Sequence, residues 1–67
     1  MAGITTDDQR ARSAADRLAL ALEEAGFDVG RDFPHLRDAH DRRGVAVVHV
    51  GDVRIEVAER LAEALGG

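Results

Sequence analysis

The clearest hydrophobic pattern lies near the start of the chain. Ala11, Ala15, Leu18, Leu22 and Ala25 recur at alternating spacings of four and three, which draws one apolar stripe along a helix from about Asp7 to Ala25. Thr6 is placed to cap that helix, with Gln9 completing a capping box, and Asp7 and Asp8 sit where the helix dipole favours negative charge. Asp8 and Arg12 are spaced to pair on the wet face. Gly26 can take the positive φ of a helix stop, and Leu22 and Phe27 then meet as the apolar contact of a Schellman motif. This pattern predicts one cluster of Leu18, Leu22 and Phe27.

Residues 28–34 show no period. Gly30 and Pro34 punctuate them as a loop, with Phe33 as an anchor driven toward extended backbone by the proline after it. Residues 36–40 read as a weak strand and Asp41-Arg42-Arg43-Gly44 as a hairpin turn with Gly44 left-handed. Val45-Ala46-Val47-Val48-His49-Val50, bounded by glycines, is the strongest strand signal in the chain. Beyond Gly51 two periods compete. Val53, Ile55 and Val57 alternate as a strand would. Val57 or Ala58, Leu61 and Leu65 fall at helical spacing, Glu56 and Arg60 are poised to pair, and Gly66 can end a helix. The helix, starting near Arg54, is the preferred reading. The fold class expected is α+β, one small domain over residues 6–67 ordered helix–loop–β-hairpin–helix (α-β-β-α), with residues 1–5 as a flexible tail.

The stretch Ala15-Asp16-Arg17-Leu18-Ala19, the run Ala25-Gly26-Phe27-Asp28-Val29-Gly30-Arg31-Asp32-Phe33-Pro34 and the turn Asp41-Arg42-Arg43-Gly44 resemble a group of short hypothetical proteins of actinobacteria, over most of residues 14–65. The resemblance supplies no active site. In that group a Thr-Pro-like pair stands near Arg54-Ile55, which implies a helix start there.

Composition narrows the function. Sixty-seven residues is one domain at most, and a core of this size rarely supplies more than about 3–5 kcal/mol. The chain has no Cys, so neither a disulfide nor a thiolate metal site can reinforce it. Twelve of the apolar residues are Ala, which leaves a thin aliphatic core and makes association the open remedy. The net charge of −4 comes with signs interleaved, which disfavours non-specific attraction to DNA or anionic lipid. All nine basic residues are Arg, as expected of a GC-rich coding bias. Neither a signal-like start nor an apolar run of membrane-spanning length is visible, so a cytoplasmic protein is expected.

Sharper chemistry finds little footing. His35, His40 and His49 invite a metal, but with Leu36 facing His49 and His40 facing Val45, His40 and His49 stand roughly 13 Å apart. No metal or other cofactor is expected. Arg37, Arg42 and Arg43, with Arg31 nearby, can make a basic hairpin end that touches phosphates. Asp38 and Asp41 offset it, and no aromatic is free to stack on bases. Gly66-Gly67 resembles the tail of ubiquitin-like sulfur carriers, yet it follows a helical stripe and reads as a helix stop. Ser13 lies inside the first helix with no His near it in sequence, and Glu23-Glu24 end an exposed helix face. Gly26-x-x-x-Gly30 lacks the Gly-Lys-Ser/Thr of a phosphate loop. Catalysis is therefore not expected.

The valine strand is the informative feature. Val45, Val47 and His49 face one side, Ala46, Val48 and Val50 the other, and both sides are apolar. Two helices on one side leave the second bare, and a lone hairpin has two open edges. Either the loop around Phe33 or the tail covers that side, or another chain does, most simply a second copy related by a two-fold axis. The expectation is a non-enzymatic interaction or accessory domain, homodimeric through Val45, Val47, Val48 and Val50, with a larger protein as a further partner. The alternative is a small nucleic-acid-binding regulator that uses Arg37, Arg42 and Arg43.

Overall fold

A computed structural model describes residues 6–67; the tail expected at residues 1–5 lies outside them. The element order is α1 Thr6–Glu24, a single turn α2 Val29–Asp32, strands β1 Arg37–His40 and β2 Ala46–His49, and α3 Ile55–Ala64. This is the α-β-β-α arrangement, a small α+β domain. Among the described residues, no helix is long and apolar enough to cross a membrane.

The stop of α1 follows the local code. Gly26 has φ 98°. Its N–H donates to the Glu23 carbonyl at 3.0 Å, and that of Phe27 donates to the Leu22 carbonyl at 3.0 Å. This is the Schellman pair of bonds, and it delivers the Phe27 ring to the core. Thr6, expected as the cap of α1, is itself helical.

Residues 28–34 are more ordered than the absence of a period suggests. Asp28 caps α2, its carboxylate accepting from the Arg31 N–H, while the Asp32 and Phe33 N–H groups donate to the Asp28 and Val29 carbonyls. The Asp–x–x–Arg spacing before a proline carried that signal, but one helical turn is too short to show periodicity. Phe33 ends the turn at φ −133°, ψ 58°, short of the fully extended backbone expected before proline.

The core gathers at this end of the molecule. Leu22, Phe27, Phe33 and Val57 form a buried cluster, with Val29, Leu36, Val50, Val53 and Leu61 packed around it. The two rings meet edge to face with centroids 5.7 Å apart. Leu18 was expected here and is instead 39% exposed, because the cluster closes around Leu22, one turn further on.

The hairpin is antiparallel, with Arg37 opposite His49, Asp38 opposite Val48, Ala39 opposite Val47 and His40 opposite Ala46. The expected pairing of Leu36 with His49 and His40 with Val45 is thus off by one residue. The cause is the loop. Asp41 still pairs with Val45, its N–H donating to the Val45 carbonyl at 2.9 Å, so three residues turn the chain rather than four. Gly44, at φ 82°, donates back to the Asp41 carbonyl.

α3 settles the competition between periods in favour of the helix. Its first turn has no side-chain cap. The Arg54 side chain reaches Asp32 at 2.5 Å instead. Arg60, expected to pair with Glu56, lies over the Phe27 ring, 4.6 Å from its centroid, and donates to the Gly26 carbonyl. Glu56 sits 3.8 Å from Arg54. Gly66 and Gly67 donate to the Glu63 and Ala62 carbonyls, closing the helix as its stop signal predicts.

Candidate interaction surface

α1 lies along both strands and decides which side of the sheet is covered. Asp8, on α1, bonds His40 at 2.6 Å. His40 shares its side of the sheet with its partner Ala46 and, by alternation, with Asp38, Val48, Leu36 and Val50. Leu36 and Val50 indeed pack against the core cluster. This is the covered side.

The other side carries Val47 and His49 from β2, with Ala39 and Arg37 opposite them, and Val45 just before the strand. Val45 is 48% exposed, His49 and Arg37 are exposed, and Val47 and Ala39 are half-buried. The loop around Phe33 does not roof this side, since Phe33 is 2% exposed within the cluster beneath α1 and α3. The four valines named from the sequence therefore divide. Val50 belongs to the core rim and Val48 faces α1, while Val45 and Val47 lie on the bare side.

Among the described residues, the outer edge of β2 is also open. Between it and α1 runs a groove of about 660 Å³, lined on the helix by Arg10, Ala14 and Arg17 among others, and on the strand by Ala46, Val47 and Val48. A second, shallower groove of about 470 Å³ continues along α1 past Leu18, Leu20 and Ala21. Leu20 is 58% exposed.

The polar groups are engaged in holding the fold. Asp41 accepts from the Arg43 and Val45 N–H groups at 2.8 and 2.9 Å. Its carboxyl is held below the ordinary value of 3.8, chiefly by the bond from Val45. Arg43 also lies 3.6 Å from Asp41, so one of the three candidate phosphate contacts is already beside a carboxylate. Arg42 is exposed at the turn, and Arg37 stands apart from it on the bare side of the sheet.

Asp32 is the buried charge that the sequence did not single out. At 6% exposure it lies 2.5 Å from Arg54 and 4.0 Å from Arg60. Nothing local marks it, because its partners come from α3 and the residue just before it, more than twenty residues away. The histidines do not converge. His40 turns to Asp8, His35 packs against Gly51, and His49 stands opposite Arg37. Among the described residues, no group of three or more metal-ligating side chains is arranged around one point. Ser13 is exposed on α1 at the groove.

Comparison with protein-family models, with curated proteins and with solved structures returns no match.

Proposed function

We propose that this chain is a small non-enzymatic interaction domain of the cytoplasm that works as a homodimer and presents its remaining surface to a larger protein. The observation that carries the reading is the valine strand, which among the described residues keeps one apolar side and one edge uncovered. The buried polar groups support a structural rather than a chemical role, since Asp32 is engaged by two arginines and the grooves are open to solvent.

Sedimentation across a concentration series tests this reading. A mass twice the 7.2 kDa of the chain is expected, falling toward the monomer on dilution. A folded monomer at millimolar concentration overturns it.

A nucleic-acid regulator is the second reading. It can claim the exposed Arg42 at the turn and Arg37 opposite His49 on the bare side. The net charge of −4 and the Asp41 carboxylate inside the turn weigh against it. Titration with duplex DNA at two salt concentrations separates the two, because phosphate contacts weaken steeply with salt and with Arg42→Ala.

A further inference from the structure

We propose that two copies join edge to edge through β2, forming one four-stranded antiparallel sheet with the two α1 helices side by side and Asp7 of each beside Arg17 of the other. This rests on the homodimer reading above and specifies its geometry.

The first argument is hydrogen-bond parity. In an antiparallel pair, residues alternate between those that bond the partner strand and those that point away. Asp41 bonds Val45 across the turn, so the Ala39–Val47 and Arg37–His49 pairs are the bonded ones in this hairpin. Ala46 and Val48 then turn their N–H and C=O groups outward, to the open edge. A two-fold axis at Val47 places Ala46 of one copy opposite Val48 of the other, the register in which both outward pairs are satisfied. The two Val47 residues become a close non-bonded pair, with Cα atoms about 4.5 Å apart.

The second argument is spacing. α1 lies along both strands of its hairpin, and neighbouring strands are about 4.8 Å apart, so adding a second hairpin puts the two helices about 10 Å apart. Helices pack at about 8–10 Å. The helix face that meets the copy is the one lining the groove, where Asp7, Arg10, Ala14 and Arg17 recur at three, four and three. The small Ala14 permits the approach.

The third argument is charge. The groove has Asp7 to Arg17 along its helix wall and Val47 on its strand wall, so the two-fold axis at Val47 passes beside α1 near the middle of that stretch. Antiparallel helices centred there set Asp7 beside the copy's Arg17, twice, and Arg10 beside the copy's Ala14. Asp7 is now held only loosely by Arg10, at 3.6 Å with both side chains more than three-quarters exposed. A face-to-face dimer would instead bring the cationic Arg37 and the polar His49 onto the apolar contact.

Three sets of variants test the geometry. Val47→Cys, in a chain that has no cysteine, should form a disulfide-linked dimer readily, since paired Cα atoms at that distance suit a disulfide. Val45→Cys should not, because the two copies of residue 45 lie about 13 Å apart in this register. Asp7→Arg and Arg17→Asp should each weaken dimerisation about tenfold, and the double exchange should restore it. Ala46→Pro removes only an outward N–H and should give a folded monomer. A wild-type dimer that cross-links at residue 45 instead, with the charge exchange silent, overturns the edge geometry and leaves the dimer reading standing. A monomeric wild type overturns both.

Discussion

The two ends of this small domain are held by different means. At one end α2, α3 and the Schellman turn enclose Leu22, Phe27, Phe33 and Val57, and a buried carboxylate joins two arginines. At the other, the first turns of α1 lie on a four-residue ribbon through alanines and one Asp–His bond. Val45 stands half exposed there and the strand edge is open. Where the chain has large apolar side chains it closes on itself. Where it has Ala and Val on a two-sided ribbon it cannot, because two strands have two faces and one helix covers one of them. The closed end is where stability resides, and the open end is where association can occur.

Substitutions break or sharpen that contrast. Phe33→Ala should cost about 3–5 kcal/mol, comparable to all that a core of this size supplies. Thermal melts followed by circular dichroism should show it unfolded at room temperature. Arg54→Ala leaves the buried Asp32 carboxylate with only its more distant arginine and should cost about 1–3 kcal/mol in urea titration. Gly26→Ala forces a side chain into the left-handed region at φ 98° and should cost about 1–2 kcal/mol by the same measurement. Val47→Thr, on the bare side, should change monomer stability by less than about 0.5 kcal/mol. A large loss there under dilute conditions would show that the two ends are not energetically distinct.

The smallest effect concerns pH. The folded-state pKa of Asp41 lies below its ordinary 3.8, so its contribution is present above that value and is lost as pH falls through the lowered one. Asp41→Asn keeps an oxygen for the Arg43 and Val45 N–H groups and removes the titration. Acid unfolding of that variant should be shallower below pH about 4.

Much of this contrast was legible in the order of residues, and the reason differs by region. Leu22, Gly26 and Phe27 announce the helix stop because a Schellman turn is a contract among neighbours. The valine strand and α3 follow from short-range period. What escaped was non-local or very short. The α2 turn is a single loop of helix capped by Asp28. The Asp32–Arg54–Arg60 cluster joins residues far apart in sequence. Leu18 sat on the right stripe but missed the cluster, because only the packing of Phe27 and Phe33 shows where the core ends along α1. The hairpin register hung on whether Asp41 counts as loop or strand. The candidate surface was legible as a set of valines, but its division into a rim valine, a helix-facing valine and two bare ones needed the position of α1.

The attachment of α3 has a consequence for motion. Val57 beneath, with Leu61 at its flank and Arg54 and Arg60 to either side, fastens the helix at its first turns, while Leu65 beyond them is 79% exposed. The turn beyond that attachment has few apolar contacts to hold it and opens at a lower free energy than the turns around Val57. The amides of that last turn should therefore exchange with deuterium sooner than those around Val57, while the Phe27 and Phe33 rings stay covered.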